Sequence, residues 1–113
     1  MVYNEELAER VRCELATRTG FEERKMFGGL AFMVNTHMAC GIVGDDLMVR
    51  VGKDNYESAL AKGAREMDFT GRPMRGMVMV DNDSLRLPDR LEIWVRDAVD
   101  FALSEPARQP KRR

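Results

Sequence analysis

Residues 24–51 read Arg24-Lys25-Met26-Phe27-Gly28-Gly29-Leu30-Ala31-Phe32-Met33-Val34-Asn35-Thr36-His37-Met38-Ala39-Cys40-Gly41-Ile42-Val43-Gly44-Asp45-Asp46-Leu47-Met48-Val49-Arg50-Val51. Apolar pieces of strand length are cut by Asn35-Thr36-His37 and by Gly44-Asp45-Asp46, triplets of turn-forming residues. The stretch therefore predicts an antiparallel meander opened by a double glycine. Side chains alternate across a strand, which puts Leu30, Phe32 and Val34 on one side. The same rule turns Leu47, Val49 and Val51 inward and sends Met48 and Arg50 to the other face. In residues 38–43, Ala39 and Gly41 are expected to be small residues on one face, leaving room for a helix or a neighbouring chain to approach closely.

The flanks supply helices. Asn4 before Glu5 and Glu6 is a helix start, with acids at the positive end of the dipole. Leu7, Val11 and Leu15 recur every four residues, the buried stripe of a helix over 5–18, with Gly20 as its expected C-terminal cap. After the meander, Asp54 is expected to cap a helix over 55–62 ended by Gly63. A short strand over 66–69 leads through a loop over 70–76 to a strand over 77–80 and a polar turn over 81–84. Pro88 fits the first turn of a last helix, where its missing N–H costs little. Leu91, Trp94, Val95, Ala98, Phe101 and Ala102 form that helix's core stripe, and Pro106 ends it. The order is α-β4-α-β2-α. Consecutive strands without alternating helical crossovers disfavour a parallel sheet. The expected fold is α+β, with one antiparallel sheet and helices packed on it.

A chain of 113 residues fits one domain. The division is a domain over 1–105 and a disordered basic tail over 106–113. Its 18 basic and 19 acidic residues nearly cancel, so there is no global attraction to nucleic acid or acidic lipid. No apolar run approaches the ~20 residues that span a bilayer. The acidic N-terminus lacks the order of a signal peptide. A cytoplasmic protein without membrane contact is expected, with Cys13 and Cys40 as reduced packing residues.

The segments 24–32 and Cys40-Gly41-Ile42-Val43 resemble the N-terminal domain of the TfoX (Sxy) competence regulators. So do Asn55-Tyr56, the glycine-bracketed loop over 70–76 and the closing helix with Trp94. The resemblance runs to about Ser104, and Met26-Phe27-Gly28-Gly29 is its most specific element. It implies a fold like that of secretion chaperones and a link to transcriptional control of DNA uptake. Full-length members carry a second, helical domain, so a stand-alone N-terminal domain is expected here. The resemblance supplies no catalytic residues and no cofactor.

Gly28-Gly29 could form a phosphate cradle, but such cradles lead into a helix N-terminus. Here a strand follows, and a bulge or tight bend is the expected role. Arg24, Lys25, Arg72 and Arg75 are the candidate contacts for an anion or a partner. Arg24 and Lys25 point to opposite faces of a strand, so at most one meets a given ligand, and the loop carrying Arg72 and Arg75 is the better placed pair. His37 is the only histidine and is expected at a solvated hairpin tip. It has no partners at metal-ligand spacing, and no nucleophile and base pair is visible. No enzyme activity, metal or cofactor is therefore expected.

The nine methionines are many for this length. Methionine adapts to irregular gaps and is common at flexible binding surfaces. Met33, Met48, Met77 and Met79 are expected to line the sheet's second face, which in a one-sided sheet would be polar. An apolar second face suggests a covering partner, an identical chain or another protein of unknown identity. The expected function is a non-enzymatic protein-interaction module, in transcriptional regulation through protein contacts, with the sheet face or an exposed strand edge as the interface. The alternative is weak nucleic-acid binding through Arg72, Arg75 and the basic tail (Arg108, Lys111, Arg112 and Arg113).

Overall fold

The protein is described by a computed structural model over residues 3–26, 28–66 and 76–105. The expected tail, Arg72, Arg75 and Phe27 lie outside the described residues. Helix α1, Glu5–Ala16, begins where the Asn4 side chain accepts the Leu7 N–H at 2.9 Å. The same residue ties the helix to the sheet, its own N–H donating to the Gly44 carbonyl at 2.7 Å. The helix ends at Ala16, two residues earlier than the stripe suggested, and Thr17 rather than Gly20 caps it.

Strands β1 (Glu22–Met26), β2 (Gly29–Val34), β3 (His37–Val43) and β4 (Asp46–Arg50) form the predicted meander. A 3₁₀ turn, Lys53–Asn55, leads into α2, Tyr56–Ala61. Asp54 caps neither: Gly52, at φ +86, starts the turn, and a side chain there would strike the Phe101 ring. Gly63, at φ +105, closes α2 as predicted. Strand β5, Arg65–Glu66, precedes β6, Met77–Val80. The expected polar turn is a 3₁₀ helix, Asn82–Leu85, and α3, Pro88–Ser104, closes the chain with proline in its first turn.

Among the described residues the sheet has six strands in the order β1-β2-β3-β4-β6-β5, every neighbouring pair antiparallel. All three helices pack on one face. Leu7, Val11 and Leu15 of α1, Tyr56 and Ala59 of α2, and Trp94, Val95 and Ala98 of α3 join one core with Phe32, Ile42, Leu47, Val49 and Val78. Burying a side chain of this kind contributes roughly 1.5–3 kcal/mol, so this layer carries most of the stability. A register shift between Phe32 and Met33 sets Ala39 as the extra residue of β3. Among the described residues no helix is long and apolar enough to cross a membrane.

Candidate functional site

Alternation along the paired strands assigns Ala31, Met33, Met38, Gly41, Met48, Met77 and Met79 to the face opposite the helices. Met48, Met77 and Met79 form a second apolar cluster, with Met38 and Val43 packed against it half-buried. Met48 stands opposite Gly41, where its Cε lies 2.9 Å from the place a Cβ would occupy. The centre of the sheet is thus apolar on both faces, and Glu22, Arg24, Asp46 and Arg50 rim the second. The four methionines predicted for this surface do lie on it, but they are not equivalent. Met48 is fully buried and Met77 and Met79 are 7% and 8% exposed within the chain itself. Met33 is half-buried, which leaves it, Met38 and Val43 as the members a partner can reach.

Among the described residues, the long free edge of the sheet is β1. Glu22, Glu23, Arg24 and Lys25 are all exposed. Arg24 belongs to the methionine face, where its Nη2 stands 3.5 Å from Glu22. Glu23 and Lys25 belong to the helix face. There Arg12 of α1 grips both Glu23 carboxylate oxygens, the Nη2 contact at 3.0 Å. That bidentate pair raises the Arg12 pKa, so its charge is permanent. Arg24 and Lys25 therefore do not act together. Arg72 and Arg75 lie outside the described residues.

Between the β1 edge and the β2–β3 turn lies a cleft of about 370 Å³, bordered by Phe21, Glu22, Arg24, Met33, Asn35 and Thr36. Asn35 and Thr36 both have positive φ, +55 and +68. They make a two-residue turn, the form whose twist suits a hairpin. A β-branched residue in this region is strained. Because the turn takes two residues, His37 is not at the tip. It opens β3, is 7% exposed, and its Nδ1 lies 3.7 Å from the Glu105 carboxylate. Arg50 reaches the same carboxylate oxygen at 3.0 Å and stacks over the Phe101 ring at 4.9 Å, while Asn35 donates to the Glu105 carbonyl. Sequence reasoning missed this junction between a turn, a strand and a helix end, since no local spacing connects residues 70 apart.

The glycine pair is structural. Gly28 has φ +72. At Gly29 a Cβ would stand 2.1 Å from the Ile42 carbonyl oxygen, so the close approach of β2 to β3 requires glycine. Such an element joins strands and offers no helix N-terminus to a phosphate. The family model of the TfoX N-terminal domain matches residues 14–102. The chain belongs to the TfoX N-terminal domain family. No relative was found among curated proteins. The TfoX N-terminal match spans the meander, its glycine pair, α2 and nearly all of α3.

Two larger clefts flank α3 on the helical side of this TfoX N-terminal domain. One, of about 440 Å³ between α2 and α3, is crossed by Lys62 and Asp97 at 3.9 Å. Its Ser104 hydroxyl donates to the Phe101 carbonyl, and its walls contain no histidine or cysteine. The other, of about 550 Å³, is bounded by Arg50, Lys53, Asp54 and Glu105, charges of both signs in equal number. Cys13 is exposed on α1 rather than packed, and Cys40 is buried, which pushes its thiol up to about 12. The Cys40 sulfur is therefore not a ready nucleophile.

Proposed function

We propose that this domain is a non-enzymatic protein-interaction module, acting in transcriptional regulation through protein contacts. The observation that carries the reading is the apolar centre of the sheet's second face, where a sheet covered by helices on one side normally turns polar side chains to water. Met38 and Val43 border the buried methionine cluster half-buried, and Met33, the strand partner of Met38, carries the apolar surface to the β1 edge. A partner packing there gains flexible apolar surface and a neighbouring charged edge. The regulatory part of the proposal rests on the regulators for which the family is named. Nothing in the described residues favours the nucleic-acid alternative, since Arg24 and Lys25 diverge and Arg24 is next to Glu22.

The test is a Met33→Lys/Met38→Lys variant expressed in its native host and compared with wild type by size-resolved fractionation. The proposal expects loss of a higher-mass complex that persists in high salt, with the melting temperature of the purified variant within a few degrees of wild type. A complex that dissolves with salt and nuclease, and is insensitive to the substitutions, would favour nucleic acid instead.

A further inference from the structure

We infer that the β1 edge pairs antiparallel with β1 of a second copy of this chain, about a two-fold axis that passes through Glu23. The inference rests on the interaction-module reading and names one of its partners. Free strand edges are templates for pairing, and proteins commonly blunt them by shortness or charge. The two edges of this sheet differ. The β5 edge has two residues among those described, and Arg65 there is already engaged by Asp46 at 2.6 Å and Asp81 at 2.7 Å. The β1 edge has five, Glu22–Met26, and carries both signs of charge in an order that complements itself.

A two-fold axis that extends a sheet must be normal to it, so each face continues into the same face of the second copy. Only residues of one face then stand opposite one another. Placing Glu23 against Glu23 sets Glu22 of each copy opposite Arg24 of the other. On the methionine face this makes a square of four alternating charges, in which each carboxylate has one guanidinium along its own strand and one across the axis. The along-strand contact already exists, at 3.5 Å. On the helix face the two Glu23 carboxylates meet near the axis, and each is already held in two contacts by its own Arg12. Lys25 falls opposite Phe21, whose half-buried ring its methylene stem covers.

The neighbouring register, Arg24 against Arg24, joins Glu23 to Lys25 but brings two guanidinium groups together on the axis. Among the described residues the carboxylate that stands against Arg24 is the exposed Glu22. Like charges directly opposite are destabilising, so the register centred on Glu23 is preferred. In it Arg24 of the second copy also lies beside the cleft bordered by Glu22 and Met33. A contact of five residues per copy is small against a standard interface, so the dimer is expected to be weak and concentration-dependent.

Sedimentation equilibrium of the full chain decides the matter. Wild type is expected to show a reversible dimer, Arg24→Glu to weaken it about tenfold or more by breaking both symmetry-related pairs, and the swapped Glu22→Arg/Arg24→Glu variant to restore it. In a Cys13→Ser background, Glu23→Cys is expected to form an intermolecular disulfide and Arg24→Cys is not, because the Cα atoms of directly opposed residues on antiparallel strands are ~4.5–5.5 Å apart, within disulfide reach. Wild type that stays monomeric at millimolar concentration, a dimer indifferent to Arg24→Glu, or a swap that does not restore it would overturn the pairing. Preferential cross-linking through Arg24→Cys would overturn the register. A monomer whose Met33→Lys/Met38→Lys variant still loses a cellular protein complex would sink the self-pairing and leave the interaction-module reading standing.

Discussion

Gly29 faces the backbone carbonyl of Ile42 so closely that a Cβ on it would stand 2.1 Å from the oxygen. Gly29 opens β2 opposite Met26 of β1, next to the Leu30–Ile42 pair that ends the β2–β3 ladder, so neither backbone can move without disturbing a ladder. Gly29→Ala is therefore expected to cost about 2–3 kcal/mol or more. Gly28 has open space around the same position and only its φ of +72 to defend, so Gly28→Ala should cost about 1 kcal/mol. Urea unfolding of the two variants checks the order, and a larger loss at Gly28 would contradict it.

Thr36 occupies the second central position of the β2–β3 turn at φ +68. Glycine reaches that conformation freely, and Asn-Gly is a preferred pair for such a turn. Thr36→Gly should stabilise the domain by about 0.5–1 kcal/mol, the relief of strain exceeding the added flexibility of the unfolded chain. Thermal unfolding reads the gain. A loss would mean that the threonine side chain contributes more than its backbone costs.

Cys40 is fully buried, and burial alone holds its thiol at about 12, against an ordinary value of 9.0. The unfolded chain releases this proton first. The contribution to stability is thus fully present below pH 9 and is lost as pH rises from 9 toward 12, with a slope approaching about 1.4 kcal/mol per pH unit. Cys40→Ala removes that slope, so the stability difference between wild type and variant should shrink above pH 9. Thiol titration of the native protein should find Cys13 reactive and Cys40 protected until unfolding.

Met48 and Met33 share a face but not an environment, one fully buried and the other half-buried. Met48→Lys puts an ammonium group into apolar packing and should cost about 4 kcal/mol or more. Met33→Lys should cost within about 1 kcal/mol. Circular dichroism melts of both variants test the distinction, and equal destabilisation would mean that the accessible border has been drawn in the wrong place.

Much of this architecture was legible because it depends on periods. Leu7, Val11 and Leu15 marked α1, and the alternation of Leu30, Phe32 and Val34 assigned both faces of β2 correctly. Cys13 was misjudged although the same period held the answer: two residues from Val11, it is carried about 200° around the helix, away from the core. His37 was misplaced because a β-branched residue at positive φ conceals a two-residue turn. Asp54 looked like a cap, but the ring of Phe101 against Gly52 sets the bend there instead. The Arg50–Glu105–Phe101 junction joins elements distant in sequence and leaves no periodic trace. For the candidate surface, alternation gave the face of each methionine, while the extent of burial depended on tertiary packing.

The most direct measurement is photo-cross-linking in cells from a benzoylphenylalanine placed at Met33, with Glu66 on the opposite edge as the control position. The interaction-module account predicts protein adducts from position 33, unaffected by nuclease and absent from position 66. Nucleic-acid adducts, or the same weak background from both positions, would contradict it.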